Sequence, residues 1–65
     1  MEAIKANELY RMLREAAGIE RVGQNQLVNF VQTDSETTEF RGKNGIVRMH
    51  HLPLVGISHA EYFPY

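Results

Sequence analysis

The sequence predicts an α+β fold: an N-terminal helix, then a three-stranded antiparallel meander, then a short C-terminal tail with room for a single helical turn. Three observations predict it. Apolar residues recur at three- and four-residue spacing before Gly18, short β-branched and aromatic runs follow it, and an Asn44-Gly45 pair lies between two of those runs. All 65 residues read as one small α-β-β-β domain, without repeats or linkers.

The helix comes first. Ala6, Leu9, Met12, Leu13 and Ala16 share one face, with Glu8, Arg11, Arg14 and Glu15 largely off it. Gly18 stands where a helix-ending glycine belongs, because glycine takes the left-handed conformation cheaply. The start is either at Glu8, capped by Asn7, or near Ala3; Ile4 lies off the apolar stripe and favours the later one.

Leu27 to Val31 is short, β-branched and aromatic and reads as the first strand, with Thr33 to Glu36 as the turn after it. Thr37 to Arg41 and Ile46 to His51 read as the second and third strands. Charge selects their register. A two-residue turn sets Arg41 opposite Arg48, whereas a four-residue loop from Gly42 to Gly45 pairs Glu39 with Arg48 and Phe40 with Val47. The second is preferred. It puts Phe40, Val47 and Met49 inside and Glu39, Arg41, Arg48 and His50 outside. For the first strand two registers stay open, one turning Val28 and Phe30 inward, the other Leu27 and Val31. Either leaves large apolar residues on the opposite face, to be covered by the tail or by another chain.

In the tail, Ser58-His59-Ala60-Glu61 matches a capping box, with Ile57 and Tyr62 placed for a hydrophobic staple. Tyr62 and Phe63 are expected in the core; Tyr65 is free to anchor a partner.

Composition narrows the function classes. Lys and Arg total 7 and Asp and Glu 8, for a net charge of −1, so phosphate neutralisation would need a local patch. Asp34, Glu36 and Glu39 precede Arg41, Lys43, Arg48, His50 and His51, which makes the chain dipolar in sequence. There is no cysteine, hence no disulfide and no thiolate site. No run is long and apolar enough to span a membrane and no signal pattern opens the chain, so a cytoplasmic protein is expected. His50 and His51 are adjacent on a strand and point to opposite faces, so neither metal nor cofactor is expected.

A chain this small buries only about 60% of the surface its unfolded form exposes. The reading that follows is a non-enzymatic protein-binding module, a regulator or inhibitor of phage or mobile-element type. It would form a homodimer or dock on another protein through Leu27, Val31, Arg41, Arg48, His50 and Tyr65. The alternative is RNA binding or cleavage: Glu39 as general base, Arg48 as phosphate clamp, His50 as general acid, with Arg41 and Lys43 holding the backbone. Helix, glycine and meander over Asn7 to His51 also resemble the front of the double-stranded-RNA-binding-like fold, the HicA-type mRNA interferase toxins being nearest in size. Where those toxins carry a histidine in a Gly-Ser-His-like stretch, this chain has Gly23-Gln24-Asn25. The resemblance is one of topology alone.

Overall fold

The computed structural model describes residues 2–21 and 23–65. Helix α1 spans Ala6–Ala17, a 3₁₀ helix spans Gln24–Asn29, and four strands follow: β1 Phe30–Asp34, β2 Thr37–Arg41, β3 Gly45–Leu52 and β4 Gly56–Pro64. The strands form one antiparallel sheet in the order β1-β2-β3-β4. No helix among the described residues is long and apolar enough to cross a membrane.

Helix α1 ends as its sequence dictates. Gly18 takes φ 72°, and its N–H and that of Ile19 both donate to the Arg14 carbonyl. The next free carbonyls are closed by the hairpin loop. The Asn44 backbone N–H donates to Ala16 O at 2.7 Å, and its Nδ2 donates to Glu15 O at 3.2 Å. At the other end Lys5 occupies the cap position; Asn7 sits two residues later, inside the helix, and accepts from the N–H of Glu8 at 3.0 Å.

The β2–β3 register follows the charge argument. Glu39 lies opposite Arg48, Phe40 opposite Val47 and Thr38 opposite Met49. Phe40, Val47 and Met49 are fully buried and meet Leu13, Ala16 and Ala17 of α1, with Ala60 of β4 completing the core. The β1–β2 turn is fixed by Asp34, whose carboxylate accepts from the N–H of Glu36 at 2.8 Å. That bond holds the Asp34 carboxyl below its ordinary value.

Two expectations are corrected. The tail is a fourth strand, not a helical turn. Pairing with β3 over Gly45–Leu52 engages the backbone groups of the tail that face β3 from Gly56 to Pro64, whereas a capping box satisfies two N–H groups. Ser58 falls at an irregularity in the ladder, between His59 opposite His50 and Ile57 opposite His51, and its hydroxyl donates to His50 O. Ile57 and Tyr62, placed for a staple, instead pack on the core from the sheet. The first strand also starts later, at Phe30. Leu27 and Val28 belong to the 3₁₀ helix, held in part by Asn29 Nδ2 donating to Gln26 Oε1 at 2.9 Å. Phe30 then points inward, its ring 4.9 Å from that of Phe40, and Val31 lies outward beside Glu39.

The covering of the sheet is unequal. Strands lie about 4.8 Å apart, so four make a sheet wide enough for two helices packed at about 9 Å. Helix α1 packs over β3, β4 and β2, and not over β1. The 3₁₀ helix lies against β1 and β2, and neither it nor β1 contributes a fully buried residue. One helix site over the sheet is thus only half filled.

Candidate functional site

That half-filled site is a groove. One stretch, of ≈ 340 Å³, runs between the chain before α1, the helix flank and β1; Ile4, Leu9, Tyr10, Leu13, Phe30 and Met49 are among its walls. A second stretch, of ≈ 370 Å³, continues past Tyr10, Leu13 and Phe30 to Leu27, Gly23 and Gln24. The walls are mostly apolar. At the mouth Leu27 is 63% exposed and Tyr10 52%; Val28, 83% exposed, follows Leu27 on the 3₁₀ helix without lining either stretch. Leu27 and Tyr10 are thus continuous with buried Leu13 in one apolar groove.

Among the described residues no helix packs on the opposite face of the sheet, and its chemistry is different. One row runs Val31, Glu39, Arg48, Glu61 across the four strands, and the next runs Thr37, His50, His59. Glu39 accepts from Arg48 Nε at 3.2 Å and from Arg41 at 3.4 Å. Glu61 lies 3.2 Å from His59 Nε2 and 4.0 Å from His50 Nε2, and the two imidazoles stack at 5.5 Å. The Arg48 guanidinium sits 5.3 Å from the centre of the Phe63 ring, which is 42% exposed. Each carboxylate is therefore shared between two nitrogen bases. Among the described residues no three His, Asp or Glu side chains converge as metal ligands.

This arrangement redistributes the residues singled out in the sequence. Glu39, Arg41, Arg48 and His50 do share one face. Lys43 does not join them: it lies in the hairpin loop beside Gly18, where a cation complements the helix C-terminus. The dipolar pattern dissolves too, because Glu39 leaves Asp34 and Glu36 and pairs with Arg41 and Arg48. Of the six proposed docking residues, Leu27 lines the inner groove whereas Val31, Arg41, Arg48 and His50 lie on the outer face. Tyr65 is 80% exposed beyond β4. They do not form one patch.

Phe63 was expected in the core and lies outside instead, opposite Ile46. His59 and Glu61 are additions that only the β4 register reveals. Tyr10 and Phe30 are additions to the groove; the signal for Tyr10 was its place on the edge of the apolar helix stripe. His51 is set apart from the other two histidines. Its Nε2 is enclosed without a hydrogen-bond partner, which leaves a polar atom unsatisfied. The chain matches no protein-family model, no curated protein and no solved structure.

Proposed function

We propose that this chain is a small protein-binding module, a regulator or inhibitor without catalytic activity, and that it docks through the groove between α1 and the 3₁₀ helix–β1 segment. The observation that carries this is the half-covered inner face: Leu27, Val28 and Tyr10 stand exposed beside a core that contains no residue of β1. Burying them on a partner returns about 1.5–3 kcal/mol per large side chain before ordering costs.

The double variant Leu27→Ser/Val28→Ser tests the reading, because both side chains are largely exposed and their loss leaves the core intact. Its thermal midpoint should stay close to that of the parent, a surface change of about 0.5 kcal/mol or less. In size-exclusion chromatography of extracts, the parent should elute within a larger complex and the double variant alone. Identical elution of the two sinks the proposal.

A second reading is favoured by the outer face: Glu39, Arg41, Arg48 and His50 are joined there by His59, Glu61 and the exposed Phe63 ring. Those groups match the needs of an RNA-binding or RNA-cleaving surface, with arginines for phosphate, an aromatic for a base, and imidazoles and carboxylates for proton transfer. It ranks second because both arginines already pair with Glu39. Single-stranded RNA should then shift or be cleaved at about 20 mM salt, with the effect fading as salt rises and lost in Arg41→Ala/Arg48→Ala. Neither binding nor cleavage at low salt ends this reading.

A further inference from the structure

We propose that Asn44 is a site of spontaneous deamidation, held unreactive while the hairpin loop is docked on the end of α1 and open to reaction when that docking parts. This goes beyond the protein-binding reading and does not depend on it.

The residue pair is chemically disposed to the reaction. An asparagine loses its side-chain amide when the next main-chain nitrogen attacks its Cγ, and Gly45, without a Cβ, leaves that approach unhindered. Hydroxide takes the Gly45 amide proton, the nitrogen bonds to Asn44 Cγ, and the Cγ–Nδ2 bond breaks. Nδ2 leaves as ammonia with a proton from water, which restores the hydroxide. A second water opens the succinimide ring and gives aspartate or isoaspartate. The other three asparagines precede Glu8, Gln26 and Phe30, whose side chains obstruct the same attack.

The fold restrains each part of this step. Asn44 is exposed, so water is at hand, but its side chain is turned to α1, where Nδ2 donates to Glu15 O at 3.2 Å. Its main-chain N–H donates to Ala16 O at 2.7 Å. Its carbonyl accepts from the Tyr65 N–H at 2.9 Å and from the Tyr62 hydroxyl at 3.4 Å. Swinging Cγ onto the Gly45 nitrogen breaks the first of these bonds and pulls against the others. Gly45 is itself buried against β4, where a Cβ would lie 2.5 Å from Phe63 O, and hydroxide reaches it only when the loop moves.

The product does not fit back. A carboxylate at residue 44 has no N–H for Glu15 O, and it lies at the helix C-terminus, where free carbonyls repel negative charge. Around it Glu15 and Glu20 already balance Arg14 and Lys43, so no surplus cation holds the new charge. Isoaspartate routes the main chain through Cβ and Cγ. The tight loop that the Gly42 N–H closes on Gly45 O at 2.8 Å then loses its register. Conversion therefore releases α1 from the hairpin, one way.

The test holds the purified chain in mildly alkaline buffer, folded and in urea. Trypsin then frees Asn44–Arg48 as one peptide, whose amide, aspartate and isoaspartate forms separate by chromatography and mass. In urea Asn44 should convert at least about 10-fold faster than Asn7, Asn25 or Asn29, and the folded chain at least about 10-fold more slowly than the unfolded one. Gly42→Ala, which parts the loop from the helix, should raise the rate in buffer toward that in urea. Asn44→Asp should lower the urea midpoint, whereas Asn25→Asp, with the same charge on the 3₁₀ helix, should not. Conversion in urea no faster than at the other asparagines overturns the site. Equal rates folded and unfolded, or an unchanged rate in Gly42→Ala, overturn the gating. A midpoint for Asn44→Asp equal to the parent's overturns the release of α1.

Discussion

Phe40→Ala should leave the chain unfolded at 25 °C. Phe40 has no exposed surface, and its ring lies against Phe30, with Val47 opposite it on β3. Truncating a buried phenylalanine costs about 3–5 kcal/mol, the lost transfer energy plus the cavity left behind. A single core in a chain below 70 residues rarely supplies more than about 3–5 kcal/mol in total. The two figures cancel. Far-ultraviolet circular dichroism should show loss of the sheet signal without denaturant. A cooperative transition in the variant, with its midpoint little changed, would mean that the core is not centred where the burial places it.

Gly42→Ala should be nearly as damaging, through backbone and not through cavity. A Cβ at residue 42 would lie 2.3 Å from the Ala16 carbonyl oxygen and 2.5 Å from its carbon. Neither atom can rotate away, as both belong to the last turn of α1. The chain must either part the hairpin loop from the helix or bend the helix end. Parting them breaks both hydrogen bonds that Asn44 gives to Glu15 and Ala16. At about 1 kcal/mol for each bond plus lost packing, the expected destabilisation is about 3 kcal/mol. Urea denaturation measures it. A loss below about 1 kcal/mol would contradict the close docking of the Gly42–Asn44 loop beneath the helix.

That docking explains why some of the fold was legible and some was not. Helix α1 and the β2–β3 hairpin announce themselves locally, by a 3.6-residue stripe ending at Gly18 and by a register in which Glu39, and not Arg41, must oppose Arg48. The tail gave the wrong local answer because Ser58-His59-Ala60-Glu61 is a good helix start in isolation. Its strand alternation, Ala60 and Tyr62 inward against His59, Glu61 and Phe63 outward, is interrupted at Ser58 and emerges only when β3 is there to pair with. Leu27 and Val28 likewise have strand composition, yet no residue of β2 lies opposite them, since Phe30 pairs with Phe40 and β2 ends at Arg41. Both failures have one origin: strand formation is decided by pairing with a neighbour, which the residues of the segment alone do not reveal.

The candidate sites follow the same division. Glu39, Arg41, Arg48 and His50 were legible as one face because the β2–β3 register was. His59 and Glu61 were hidden with β4. The groove could be anticipated only as excess apolar surface on the first strand. Its place, between Tyr10 and Leu27 and beside Phe30, depends on the 3₁₀ helix that the sequence disguises.

The central claim is that the chain docks on a partner through the groove between α1 and the 3₁₀ helix–β1 segment. The most direct test is a two-dimensional ¹H–¹⁵N spectrum of the labelled chain, recorded free and in the complex isolated by the extract chromatography. Shifts should concentrate at Tyr10, Leu13, Leu27, Val28 and Phe30, with Arg48, His59 and Phe63 on the outer face unmoved. Shifts gathered on the outer face instead, or spread evenly over both, would contradict it.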